Sequence, residues 1–377
     1  MCTSWFDRTE NRDPGIGPKV PQSAVHGLDA AAPASGDPPA DAPVSVDPGG
    51  PGYPSGIALE PVVDVPAGGA PSGRTPVPVN PSPGVRWHAL ARALRPRQWI
   101  KNLLVFVAPA AAGELHHWPV AWRASVAFVL FCPLASGLYL LNDAVDAEAD
   151  RVHPRKRHRP IASGAVSERL AVGLGGALVA LSVAAGGLVF SWQMAVVMGT
   201  YAAITLAYTL RLKREPVIEL AAVASGFVLR AIAGGVATHV PLSSWFLVVV
   251  SFGALFVVTG KRMAEHRQLG EDRGAHRASL ELYTTSFLQS TLVLSASVTA
   301  TTYCLWAFQR AGALRHTSHH EIWIQLTVVP VVLGLLYVLR LLDAGQGGAP
   351  EELVLKDHFL QLMAVAWVAL FAVGLYA

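Results

Sequence analysis

The sequence predicts an all-α integral membrane protein, nine transmembrane helices behind a long N-terminal tail. Three observations carry that prediction. Hydrophobic residues make up 52% of the 377-residue chain and charged residues only 15%, with a mean hydropathy of +0.40. A soluble domain carries about 25% charged residues. From residue 98 onward the apolar residues gather into runs close to the ~20 residues that a helix needs to cross bilayer hydrocarbon. The Lys and Arg residues, finally, crowd into alternate connections between those runs.

The tail comes first. Residues 1–85 hold 17 of the 27 prolines and show no sustained apolar period. Such a segment cannot bury enough apolar surface to offset the entropy of ordering it. A disordered, Pro/Gly/Ala-rich cytoplasmic tail is expected over 1–85, and a transmembrane domain over 86–377. The opening MCTSWFDRTENRDPG has no basic region followed by an apolar stretch, so it does not read as a secretory signal.

The apolar runs fall at 98–114, 120–142, 168–189, 192–209, 217–236, 243–260, 286–307, 323–342 and 357–376. With the N-terminus inside, the inner segments hold 21 Lys and Arg, and the outer connections hold Arg123, Arg310 and Arg315 alone. That asymmetry fits the positive-inside rule and predicts a multi-pass protein of the plasma membrane. RPRQWIKN, 95–102, precedes the first run and reads as an interfacial anchor, with Trp99 at headgroup depth. Helices rich in small residues permit close packing and self-association, so a homo-oligomer is compatible with the pattern. The three cysteines (Cys2, Cys132, Cys304) are scattered and form neither a disulfide framework nor a zinc pattern. No nucleic-acid partner is expected.

The chemistry concentrates in LNDAVDAEADRVHPRKRHRPIASG, 141–164, which follows the second run directly. Asn142, Asp146 and Asp150 are spaced i, i+4, i+8 and share a helix face. Hard oxygen ligands so arranged suit Mg²⁺, which keeps several waters and commonly bridges to substrate phosphates. Carboxylates left idle at a helix C-terminus would oppose its dipole. Asp143 and Glu148 lie off that face. Lys156, Arg157 and Arg159 follow at once, and guanidinium forks suit phosphate oxygens.

Two further inner connections repeat the theme. YTLRLKREPVIE places Tyr208, Lys213 and Glu219 at one, and TGKRMAEHRQ places Lys261, Arg262 and Glu265 at the next. Together with Lys101 they describe a charged basin at one mouth of the bundle. Arg230 stands apart, inside the apolar run AAVASGFVLRAIAGGVA. A cation there is costly and normally faces the bundle interior with a partner, either Glu219 or a ligand phosphate.

NDAVDAEAD followed by HPRKRHRPIASG resembles the first aspartate-rich motif of the UbiA superfamily of intramembrane prenyltransferases, and YTLRLK resembles its tyrosine–lysine motif, with Glu219 where Asp is usual. The resemblance covers residues 90–377. It implies a nine-helix bundle with a Mg²⁺-dependent site open to the cytoplasm. The second aspartate-rich motif is replaced here by GKRMAE, in which Glu265 is the acidic residue. RPRQWIKN, KRHRPIASG, LRAIAGGVATHVPLSSWF and GKRMAE resemble, in order, an actinobacterial branch that acts on decaprenyl phosphate. That branch implies transfer of 5-phosphoribose from phosphoribosyl diphosphate (PRPP) to a polyprenyl phosphate, for a cell-wall arabinan precursor. Asn142, Asp146 and Asp150 would then hold Mg²⁺. Lys101, Lys156, Arg157, Arg159, Tyr208, Lys213, Glu219, Arg230, Lys261 and Arg262 would meet substrate. The rival within the superfamily is prenyl transfer to an aromatic acceptor; outside it, a transporter or lipid-binding bundle.

Overall fold

The computed structural model describes residues 83–154, 156–268, 282–314, 321–345, 353–354 and 356–376, and the tail expected over 1–85 lies almost wholly outside them. The described elements are helical throughout. In chain order they are α1 (Pro83–Ala93), a 3-10 segment (Pro96–Phe106), α2 (Val107–Ala111), α3 (Trp118–Val145), α4 (Ala147–Val152), α5 (Glu168–Val189), α6 (Trp192–Leu210), α7 (Ile218–Thr238), α8 (Ser244–Gln268), α9 (Thr285–Leu314), α10 (Glu321–Leu326), α11 (Val328–Asp343) and α12 (His358–Tyr376). Short 3-10 turns at Lys156–His158 and Leu212–Arg214 carry basic residues.

Eight spans among the described residues are long and apolar enough to cross a membrane, α10 and α11 forming one of them. Neighbours in sequence are neighbours in space: α3 packs on α5, α5 on α6, α6 on α7, α7 on α8 and α8 on α9. Large apolar side chains such as Leu181, Leu188 and Val365 face outward, as expected where lipid is the solvent. At the α3–α5 contact a Cβ on Gly137 would stand 2.7 Å from the Gly175 carbonyl oxygen, and one on Gly175 would stand 2.9 Å from that of Gly137. The two backbones touch, as small residues permit between membrane helices.

The first of the nine expected helices takes a different form. Arg95 precedes Pro96, which disfavours helical backbone, and it turns in the left-handed region at φ 51°. A 3-10 helix then runs through Pro96–Phe106 into the short α2. At about 2.0 Å rise per residue, a 3-10 helix reaches further than an α-helix of equal length. Its three-residue period also eclipses Trp99, Asn102 and Val105 on one edge. All three turn inward. Trp99 Nε1 donates to Ser136 Oγ at 3.0 Å, Asn102 Oδ1 accepts from Arg230 at 2.9 Å, and the Val105 carbonyl lies against Gly234 so closely that any Cβ there would collide. Ile100 and Leu103 occupy the exposed side. Trp99 is half-buried and packs against α3 through its indole bond to Ser136.

Candidate active site

The carboxylates gather where α3 ends. α3 stops at Val145, Asp146 takes φ −88°, ψ 1°, and α4 resumes at Ala147. The backbone bonds Asp146 N to Asn142 O and Asp150 N to Asp146 O bridge this bend, so the helical phase persists. Asn142 Nδ2 faces Asp146 Oδ2 at 3.4 Å, and Lys213 Nζ reaches Asp146 Oδ1 at 2.5 Å. Thr209, from the last turn of α6, closes on Asn142 Oδ1 at 3.0 Å.

Asp150 sits elsewhere. At about 100° per residue it lies roughly 80° around from Asn142 but only about 20° from Asp143. The structure follows that phase. Arg159 Nη1 bonds Asp150 Oδ2 at 2.6 Å and Asp143 Oδ1 at 3.3 Å, while Arg95 Nη2 holds both oxygens of Asp143 at 2.6 and 2.7 Å. Both carboxylates are nearly fully buried. The face expected to present Asn142, Asp146 and Asp150 thus divides into two neighbouring pairs, Asn142 with Asp146 and Asp143 with Asp150. No three His, Cys, Asp or Glu side chains converge as a metal cluster among the described residues. Asn142 and half-buried Asp146 are the pair whose chemistry fits a magnesium ion that takes its remaining ligands from water and phosphate.

A second cluster joins α7 to α8. Glu219, fully buried, bonds Arg262 Nε, and Arg262 Nη1 bonds Glu265 Oε2 at 2.7 Å. Where the sequence suggests a phosphate contact, the structure commits the Arg262 guanidinium to two carboxylates. Tyr208 and Tyr283 lie within electrostatic reach of it. The Tyr283 hydroxyl accepts from Val217 N at 3.1 Å, and burial pushes its phenol above the ordinary value while that bond opposes the shift. Val217 has φ 66°, with Ile218 N bonded to Pro216 O at 2.7 Å. This is a strained γ-turn in a β-branched residue, placed just ahead of Glu219.

Arg230 is 5% exposed and meets neutral groups: Asn102 Oδ1 at 2.9 Å, Gly226 O at 2.7 Å and Tyr201 Oη at 2.7 Å, with its guanidinium 4.6 Å from the Tyr201 ring centre. Glu219, one of the two partners the sequence offers for Arg230, bonds Arg262 instead. Tyr139 stands in the combined field of Arg230, Arg95 and Asp143 and links this group to the carboxylates.

Of the remaining expected residues, Lys101, Lys156 and Lys261 are half-buried, and Arg157 is exposed with its Nε 3.5 Å from the His158 ring. Arg95, Tyr201 and Thr209, which the sequence reading does not single out, and Asp143, which it ranks below Asn142, Asp146 and Asp150, bond the expected residues or their neighbours. Asp143 alone had a usable signal, its seven-residue spacing from Asp150. A separate cavity of about 430 Å³, lined by His239, Trp306 and Arg310 among others, contains none of the site's carboxylates.

Residues 103–363 match the UbiA prenyltransferase family. The chain is 46% identical over 299 residues to the decaprenyl-phosphate phosphoribosyltransferase of Mycolicibacterium smegmatis, covering 76% of this chain and 92% of that protein. It is 43% identical over 291 residues to the protein of the same name from Corynebacterium glutamicum, covering 76% and 86%. In fold it is similar to a UbiA homolog from Archaeoglobus fulgidus solved with GPP and Mg²⁺, with a TM-score of 0.55, 18% identity and coverage of 76% and 98%. The match spans all three motif-bearing connections and the bundle between them, and the chain belongs to the UbiA prenyltransferase family.

Proposed function

We propose that this membrane enzyme transfers 5-phosphoribose from PRPP to a polyprenyl phosphate, releasing diphosphate, at a site facing the cytoplasm of the plasma membrane. Two near-full-length relatives carry the name of a decaprenyl-phosphate phosphoribosyltransferase. The observation that carries the reading in this chain is Arg262, held between Glu219 and Glu265. Arg262 offsets the charge of that acidic pair, which disfavours a second metal on a prenyl diphosphate there, and Lys261 beside it adds positive charge that suits a phosphate. Prenyl transfer to an aromatic acceptor is disfavoured accordingly.

Asn142 and Asp146 would hold Mg²⁺, whose contribution when bound is to offset charge developing on the leaving diphosphate. Asp143 and Asp150, locked by Arg95 and Arg159, fix the end of α3 so that this pair keeps its place. The C1–O bond to diphosphate breaks with its electron pair leaving on diphosphate, and a prenyl phosphate oxygen forms the new bond to C1 from the opposite face. That oxygen is ionised already, since a phosphate monoester has a second pKa of about 6, so no general base is required. Lys101, Lys156, Arg157, Arg159, Tyr208, Lys213, Arg230 and Lys261 share the three phosphate-bearing groups. The lipid's chain stays in the bilayer along the apolar flank.

The test uses purified protein in detergent with radiolabelled PRPP and decaprenyl phosphate, with and without Mg²⁺. Magnesium-dependent label in the organic extract is the expected result. Product from a polyprenyl diphosphate and an aromatic acid instead would overturn the assignment.

A further inference from the structure

We infer that Thr209 is a positioning residue that selects which end of the Asn142 amide faces Asp146. The inference rests on the proposed metal reading of that pair. The Thr209 hydroxyl has one proton and two neighbours that could accept it, Thr205 O at 3.0 Å and Asn142 Oδ1 at 3.0 Å. It can serve one of them. Elsewhere in the bundle, helical threonines give this proton to the carbonyl four residues earlier: Thr205, Thr238, Thr291, Thr299 and Thr302 do so at 2.6 to 2.8 Å. At Thr209 the equivalent contact is longer, and the hydroxyl stands between two partners.

The two proton positions have opposite consequences for Asn142. Its amide oxygen and nitrogen are interchangeable by a flip. If Thr209 donates to Asn142 Oδ1, the amide nitrogen is left to donate to Asp146 Oδ2, 3.4 Å away. If Thr209 donates to Thr205 O, its oxygen must accept, so the amide nitrogen turns to Thr209 and the amide oxygen turns to Asp146. Two oxygens then face one another across a gap that only a cation makes favourable. Thr209 is 2% exposed, so water cannot readily take over either role. Its hydroxyl accommodates both states with a single rotation. Valine, the same shape without the hydroxyl, accommodates neither.

The experiment measures Mn²⁺ binding to the full chain in detergent with inorganic diphosphate, by loss of the free Mn²⁺ signal in electron paramagnetic resonance. Outer-shell partners of this kind are worth about 10–100-fold in metal affinity. Thr209→Val is expected to weaken Mn²⁺ by that range and Thr209→Ser to stay close to wild type. In an Asn142→Asp background, where either oxygen serves, Thr209→Val is expected to change the affinity less than threefold. An unchanged affinity in Thr209→Val, or an equal loss in both backgrounds, overturns the inference and leaves the metal reading standing. If Asp146→Asn also binds Mn²⁺ as wild type does, the metal reading itself fails, and this inference with it.

Discussion

The ammonium of Lys213 closes on Asp146 Oδ1 at 2.5 Å, joining the α6–α7 connection to the end of α3 across 67 residues of sequence. A cation already stands on the carboxylate proposed to take Mg²⁺. The lysine and the metal therefore compete for Asp146, while the lysine and the metal both favour an anionic substrate. Lys213→Met is expected to tighten Mn²⁺ several-fold in the absence of substrate and to raise the KM for PRPP about tenfold or more, as losing one charge-assisted phosphate contact would. Weaker Mn²⁺ in this variant would show that the two do not compete.

Arg262 and Lys261 are adjacent in sequence and different in expected effect. Removing the Arg262 side chain, 4% exposed, leaves Glu219 and Glu265 without their cation. Breaking a buried pair in this way costs about 3–5 kcal/mol. Arg262→Met is expected to lower Tm in detergent by several degrees, whereas Lys261→Met, at a half-buried position, is expected to lower it less and to lose substrate affinity. Equal Tm values for the two variants would contradict the assignment.

Arg230 is held by neutral groups, so its removal strands no carboxylate. Arg230→Gln forfeits three hydrogen bonds, each worth about 0.5–1.5 kcal/mol net, and is relieved of a buried charge. Its Tm is expected to stay within a few degrees of wild type while kcat/KM falls at least tenfold. Loss of folding with no specific loss of turnover in the folded fraction would make Arg230 structural.

Tyr283 provides a pH signature. Its phenol is held above the ordinary value by burial, whereas the unfolded chain ionises near the ordinary tyrosine value of about 10. The folded state thus favours the neutral form. That contribution is intact below about pH 10 and is lost as pH climbs through the higher folded value. Tyr283→Phe should be less stable at neutral pH by about 0.5–1.5 kcal/mol, since Val217 N loses its acceptor. Above pH 10 wild type should lose Tm more steeply than the variant, and parallel curves would refute this.

The spans were legible because lipid imposes a length and a composition on any helix that crosses it. The first segment was not legible as a 3-10 helix: its form depends on Arg230 and Gly234, which are more than a hundred residues away. Of the site, the Asn142–Asp146 pair could be read from its spacing of four. Asp150 continues the same spacing, but a drift of about 40° at each step accumulates and places it beside Asp143, where Arg159 bonds both. Glu219, Arg262 and Glu265 were each visible as charges at a mouth of the bundle, but their mutual pairing is a tertiary fact. Thr209 carried no signal at all, since a threonine in an apolar helix reads as satisfied by its own backbone.

Gly137 and Gly175 oppose one another backbone to backbone. Neither can acquire a methyl group while its counterpart's helix stays in place, so the two positions behave as a single heritable unit. Only a shift of α5 as a whole could accommodate a change at either one. Five residues beyond Gly137 lies Asn142, which means that the glycine pair sets the height at which the carboxylates are presented. Divergence in this lineage would therefore accumulate on the lipid-facing sides of α3 and α5 and leave this crossing point untouched.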